Sequence, residues 1–194
     1  MKHTLAIVVF LVTALWVGSA LAGGFHPSRV KLLIHGEQEL EEGRTALLYN
    51  FIPSPNLKTG FHPLAYVSLQ AKPFKWLSLE PTLGFNFSAE EPIFSMHVAL
   101  QTEKFWSWTD LEYRIPSKAG YCFSQVEMKV SDWFHTGFEA EGWGVFKDAS
   151  SWSYGGGPNM LLRMGKIGVD FALHARHLDD RTAPEFYLRT HLFL

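Results

Sequence analysis

The chain has 194 residues and a formal net charge of −2 with histidines neutral; 19% of its residues are charged and 15% aromatic, with 16 Phe. That is few charges for a soluble domain, where about 25% is usual, and the near-neutral balance leaves no basic footprint for nucleic acid. The length suits one domain, and the single Cys122 excludes an internal disulfide.

At the N-terminus, Lys2, the apolar run Leu5 to Val17 and the small residues Ser19-Ala-Leu-Ala22 before Gly23-Gly24 predict a cleavable signal peptide over 1–22. Downstream, no apolar stretch reaches the ~20 residues a spanning helix needs. Any membrane crossing must then be made by strands. Residues 23–43 are assigned to an N-terminal extension: Val30 to His35 alternates like a strand, but Glu37-Gln-Glu-Leu-Glu-Glu42 interrupts the pattern with four carboxylates.

From residue 44 onward the chain breaks into short alternating runs. Strands are predicted at 44–52, 63–72, 75–87, 92–101, 105–115, 120–130, 133–145, 152–163, 166–177 and 184–194. Lys72-Pro-Phe-Lys75, Gln101-Thr-Glu-Lys104, Val130-Ser-Asp132 and Met164-Gly-Lys166 read as tight turns, while 53–62, 88–92, 116–120, 146–151 and 178–183 read as the longer connections. Trp76, Trp106 with Trp108, and Trp133 follow successive tight turns, as aromatics do at the rim of a membrane barrel. Strict alternation points Trp76, Trp106 and Trp133 inward. Gly155-Gly156-Gly157-Pro158 lacks the Lys-Ser/Thr of a phosphate cradle and reads as glycines that let a strand bend or approach a neighbour.

The final strand places Phe186, Leu188, Leu192 and Leu194 on one face and Glu185, Tyr187, Arg189 and His191 on the other. Elsewhere the apolar sets are nearly pure: Leu77, Leu79, Leu83, Phe85 and Phe87; Phe94, Met96, Val98 and Leu100; Ile167, Val169, Phe171 and Leu173. If these sets meet lipid, register is fixed by energy, because an Arg at the bilayer midplane costs ~2–4 kcal/mol. Glu80, Asp110, Glu112, Arg114, Glu127, His135, Glu139, Glu141, Arg163, Asp170, His174, Arg176, Glu185, Arg189 and His191 then project inward. Mixed charge at that density implies a filled or very narrow lumen.

His174 and His177 resemble a ligand pair, yet on a strand they point to opposite faces, so no metal and no cofactor is expected. His177 with Asp179 or Asp180 at the rim is the one candidate acid/base group.

Through its signal peptide, Trp-marked hairpins and C-terminal strand, the chain resembles the small bacterial outer-membrane β-barrel proteins across 44–194. The resemblance implies an all-β, closed antiparallel up-and-down transmembrane barrel of about 10 strands (8–12), with both termini periplasmic. It further implies outer-membrane lipid as surroundings and the barrel assembly machinery as a partner during insertion. A structural or binding role in the envelope is the expected function. A hydrolase or lipid-modifying enzyme with a rim His/Asp site, a narrow small-solute channel, and a soluble lipocalin-like barrel in the periplasm are the alternatives.

Overall fold

A computed structural model describes residues 29–178 and 181–194. Its strands are β1 (Arg29–Glu41), β2 (Thr45–Ile52), β3 (Leu64–Phe74), β4 (Leu77–Asn86), β5 (Glu91–Gln101), β6 (Phe105–Arg114), β7 (Ala119–Lys129), β8 (Phe134–Val145), β9 (Asp148–Met164), β10 (Ile167–Leu178) and β11 (Arg181–Phe193). Successive strands pair antiparallel as a meander, and β1 closes the sheet against β11. All ten predicted strands are present. The signal peptide expected over 1–22 and the residues Asp179 and Asp180 lie outside the described residues.

The expected N-terminal extension is corrected by β1, which makes the barrel eleven-stranded. An odd meander brings its first and last strands together running the same way, so closure must be parallel. Arg29 to His35 pair in parallel with Tyr187 to Phe193. β1 starts at the rim opposite the one where β11 ends, so Arg29 and Phe193 do not share a rim, and the residues before Arg29 lie outside the described residues. The rim at Phe193 is called the lower rim below.

The acidic run breaks the strand pattern because it belongs to a part of β1 that has outgrown the barrel wall. Parallel pairing to β11 stops at His35, whereas β1 continues against β2 from Ile34 to Glu41. Gln38 to Glu41 are exposed there, where carboxylates meet water at no cost. Above Ile34, where β2 has ended, the connection 53–63 takes its place. Asn56 Oδ1 accepts from Val30 N at 3.3 Å, and Ser54, buried completely, donates to Asn56 O at 2.8 Å.

Side-chain alternation sorts the wall into two chemically opposite faces. Val67, Leu69, Leu79, Leu83, Phe85, Phe94, Met96, Leu111, Val126, Met128, Phe138, Met160 and Leu173 point out and are 37–63% exposed. Ser68, Glu80, Thr82, His97, Asp110, Glu112, Gln125, Glu127, Glu139, Asn159, Asp170, His174, Arg176 and Arg189 point in, none more than 6% exposed. A soluble globule arranges these classes the other way round. The apolar cluster inside is small, with Leu64, Tyr66 and Ile93 packed beside Ile52.

The glycines of β9 act by close approach. A Cβ on Gly157 would fall 1.8 Å from the Leu173 carbonyl oxygen, and one on Gly155 would fall 3.2 Å from the guanidinium carbon of Arg176. Gly157→Ala therefore forces β9 and β10 apart. It is expected to cost about 1–3 kcal/mol, in the range of other overpacking substitutions, read as a lower unfolding midpoint of the refolded barrel.

Candidate functional site: the charged lumen

Near the upper rim two guanidinium groups flank two carboxylates. Arg29 Nε and Nη2 donate to the two oxygens of Glu185 at 2.8 and 2.9 Å, and Nη2 also reaches Glu141. Arg176 bonds both Glu141 and Glu185 from the other side. Tyr187 and Tyr121 donate their hydroxyls to Glu141. Both arginines lie over the Trp143 ring, 4.6 and 4.1 Å from its centroid, which adds cation–π attraction. The four charges balance. Across the lumen, Glu112 takes Arg114 at 3.1 Å and the Tyr66 hydroxyl at 2.9 Å.

At mid-height, Arg189 of β11 bonds Glu139 of β8 and Asp170 of β10, the latter at 2.7 Å. His174 Nε2 is 2.8 Å from Glu139, with both side chains fully buried. Gln125 Nε2 donates to Glu127 at 2.8 Å and to Asp170 at 3.3 Å, and Asn159 Nδ2 donates to Glu127 at 3.0 Å. On the facing wall the His97 ring lies between Glu80, 3.4 Å from Nδ1, and Asp110, 3.2 Å from Nε2. Ser95 donates to Asp110, and Gln70 and Ser78 donate to Glu80 at 2.7 and 3.1 Å.

Toward the lower rim, His35 Nδ1 meets Asn50 Oδ1 at 2.6 Å and His35 Nε2 meets His191 Nδ1 at 3.0 Å. The rings of His35, His191 and Phe193 stack. In the turn below β7, Lys129 Nζ stands 2.7 Å from Asp132 Oδ1. Its hydrogen bond and charge hold the Asp132 carboxyl below the usual carboxylate range.

These contacts are chords across the barrel. In a ring of eleven strands no two are more than five steps apart, yet Arg29 of β1 bonds Glu141 of β8 four steps away, and Arg189 of β11 lies 5.2 Å over Phe123 of β7, also four steps away. Side chains therefore bridge the lumen almost diametrically, as a barrel of this strand number allows.

Of the expected inward set, Glu80, Asp110, Glu112, Arg114, Glu127, His135, Glu139, Glu141, Asp170, His174, Arg176, Glu185, Arg189 and His191 all join this interior. Arg163 is on the same face but exposed, its guanidinium 5.6 Å from the Phe193 ring centre. Trp106 and Trp108 keep the inner face, Trp108 packing on His97 and Phe123. Trp76 and Trp133 do not: each lies in a turn ahead of its strand, 52% and 61% exposed, so alternation no longer fixes its direction. Sequence reasoning missed Arg29, Lys31 and His35 because β1 was not counted as part of the barrel. Gln125 and Asn159 carry no charge and were not among the expected residues; nor was His97, although the outward Met96 and Val98 flank it.

His174 and His177 point to opposite faces, as expected of a strand. The His177 ring packs on Tyr154, centroids 4.9 Å apart, on the outer face near the upper rim. The carboxylates proposed to serve it, Asp179 and Asp180, lie outside the described residues. Among the described residues, Glu141, His174 and Glu185 present ligand atoms within 4.8 Å of one another. A cation there would have to displace Arg29 and Arg176 from both carboxylates, so this group does not fit a metal. No protein-family model and no curated protein matches the chain.

Proposed function

We propose that the chain is a bacterial outer-membrane barrel with an occluded lumen, serving the envelope as a structural element or through its rim connections. The observation that carries this reading is the inverted wall, apolar and exposed outside, charged and buried inside. Outward-facing aliphatic and aromatic side chains are the solvent-matched surface for acyl chains, and a polar interior is its usual counterpart. The exposed aromatic residues Phe74, Trp76 and Trp133 near the lower rim and Phe61, Phe87 and Phe146 near the upper rim stand where headgroups would meet the wall. Lipid is then the main partner, and insertion runs through the barrel assembly machinery.

Occlusion follows from the chords. An ion path would have to part Arg29 and Arg176 from Glu141 and Glu185, and Arg189 from Glu139 and Asp170. Planar-bilayer recording of the purified protein is expected to show no steady conductance. A steady current with ion selectivity altered by Asp170→Lys would replace this reading with that of a narrow channel.

A further inference from the structure

We propose that Glu127, Asn159 and Asp170 form a mid-lumen binding site for a hard divalent cation of the calcium class. The three side chains come from β7, β9 and β10, and hydrogen bonds already hold them together. Glu127 Oε1 accepts from Asn159 Nδ2 at 3.0 Å and from Gln125 Nε2 at 2.8 Å, and the same Gln125 amide reaches Asp170 Oδ2 at 3.3 Å. One oxygen of each carboxylate is thereby used. The others, Glu127 Oε2 and Asp170 Oδ1, have no hydrogen-bond partner, and neither has Asn159 Oδ1. All three residues are 1% exposed. Buried oxygens are nearly always paired, so three orphans on residues joined directly or through Gln125 call for a ligand.

Charge points the same way. Glu127, Glu139 and Asp170 crowd one region, and Arg189 is the one guanidinium bonded to them among the described residues, on Glu139 and Asp170. Glu127 has no such partner. His135 Nδ1 stands 3.4 Å from Oε2 and is not hydrogen-bonded to it. Three carboxylates there thus have one bonded guanidinium between them among the described residues. Two carboxylates and an amide oxygen are hard donors that suit calcium, which accepts flexible oxygen shells completed by water. Zinc prefers nitrogen and sulfur. This site differs from the Arg-neutralised Glu141 group above it, and it does not depend on what surrounds the outer face.

The test uses the full chain refolded in detergent, stripped with a chelator and dialysed against radioactive calcium chloride. The expected result is one ion retained per chain, with a higher unfolding temperature in calcium. Glu127→Gln should fold and bind roughly tenfold or more weakly, whereas Glu112→Gln, in the separate cluster with Arg114 and Tyr66, should bind normally. Asn159→Ala, which carries no charge change, serves as the second variant should Glu127→Gln fail to fold. No uptake by the unsubstituted chain would overturn the proposal. So would full uptake by a folded Glu127→Gln or Asn159→Ala protein, or equal loss in Glu112→Gln.

Discussion

Arg189→Met is expected to be the most damaging single substitution in the lumen. It removes the guanidinium shared by Glu139 and Asp170 and leaves two carboxylates that are 1% exposed without their cation. Breaking a buried pair in this way costs about 3–5 kcal/mol, because the desolvation already spent on the partners is no longer offset. The penalty lies on the remaining acids, so adding Glu139→Gln and Asp170→Asn to Arg189→Met should recover much of the loss. Unfolding midpoints in urea measure both. Equal midpoints for the single and the triple variant would show that the guanidinium acts by packing alone.

Met96→Arg is the second large effect, and its size depends on what surrounds the barrel. Met96 sits at the centre of β5, points outward and is 42% exposed. Facing the bilayer midplane, an arginine there costs about 2–4 kcal/mol. In water the same change on an exposed surface position would stay within about 0.5 kcal/mol. Folding equilibria in lipid vesicles read the difference directly, with Met96→Leu as the control of similar volume.

The strands were legible because alternation is strong wherever one face is purely apolar. Leu83 and Phe85 against Thr82 and Glu80, or Phe94 and Met96 against Ser95 and His97, leave one register that keeps charge off the outer face. The same alternation puts most of the charged side chains on the inner face. It failed at β1, whose upper half follows the rule while Glu37, Glu39 and Glu41 run past the wall, where both faces are wet and the period carries no information. Losing β1 hid the odd strand number, the parallel seam and Arg29.

The partners themselves were not legible, since a period of two says which face a residue takes and nothing about what lies across the lumen. Glu141 meets Arg29 over 112 positions and Tyr187 over 46. Such pairings depend on closure of the whole ring, and hence on β1. Trp76 and Trp133 show the complementary limit: one residue beyond the strand, the alternation that fixes Trp106 and Trp108 ceases to apply.

The proposed function requires that lipid solvate the outer face of this barrel. The most direct test is refolding from urea, either into lipid vesicles or into lipid-free buffer, followed by gel electrophoresis with and without boiling. A compact, heat-modifiable band is expected from vesicles, and aggregated or unfolded chain from buffer. A monomeric, cooperatively folded protein in lipid-free buffer would contradict it.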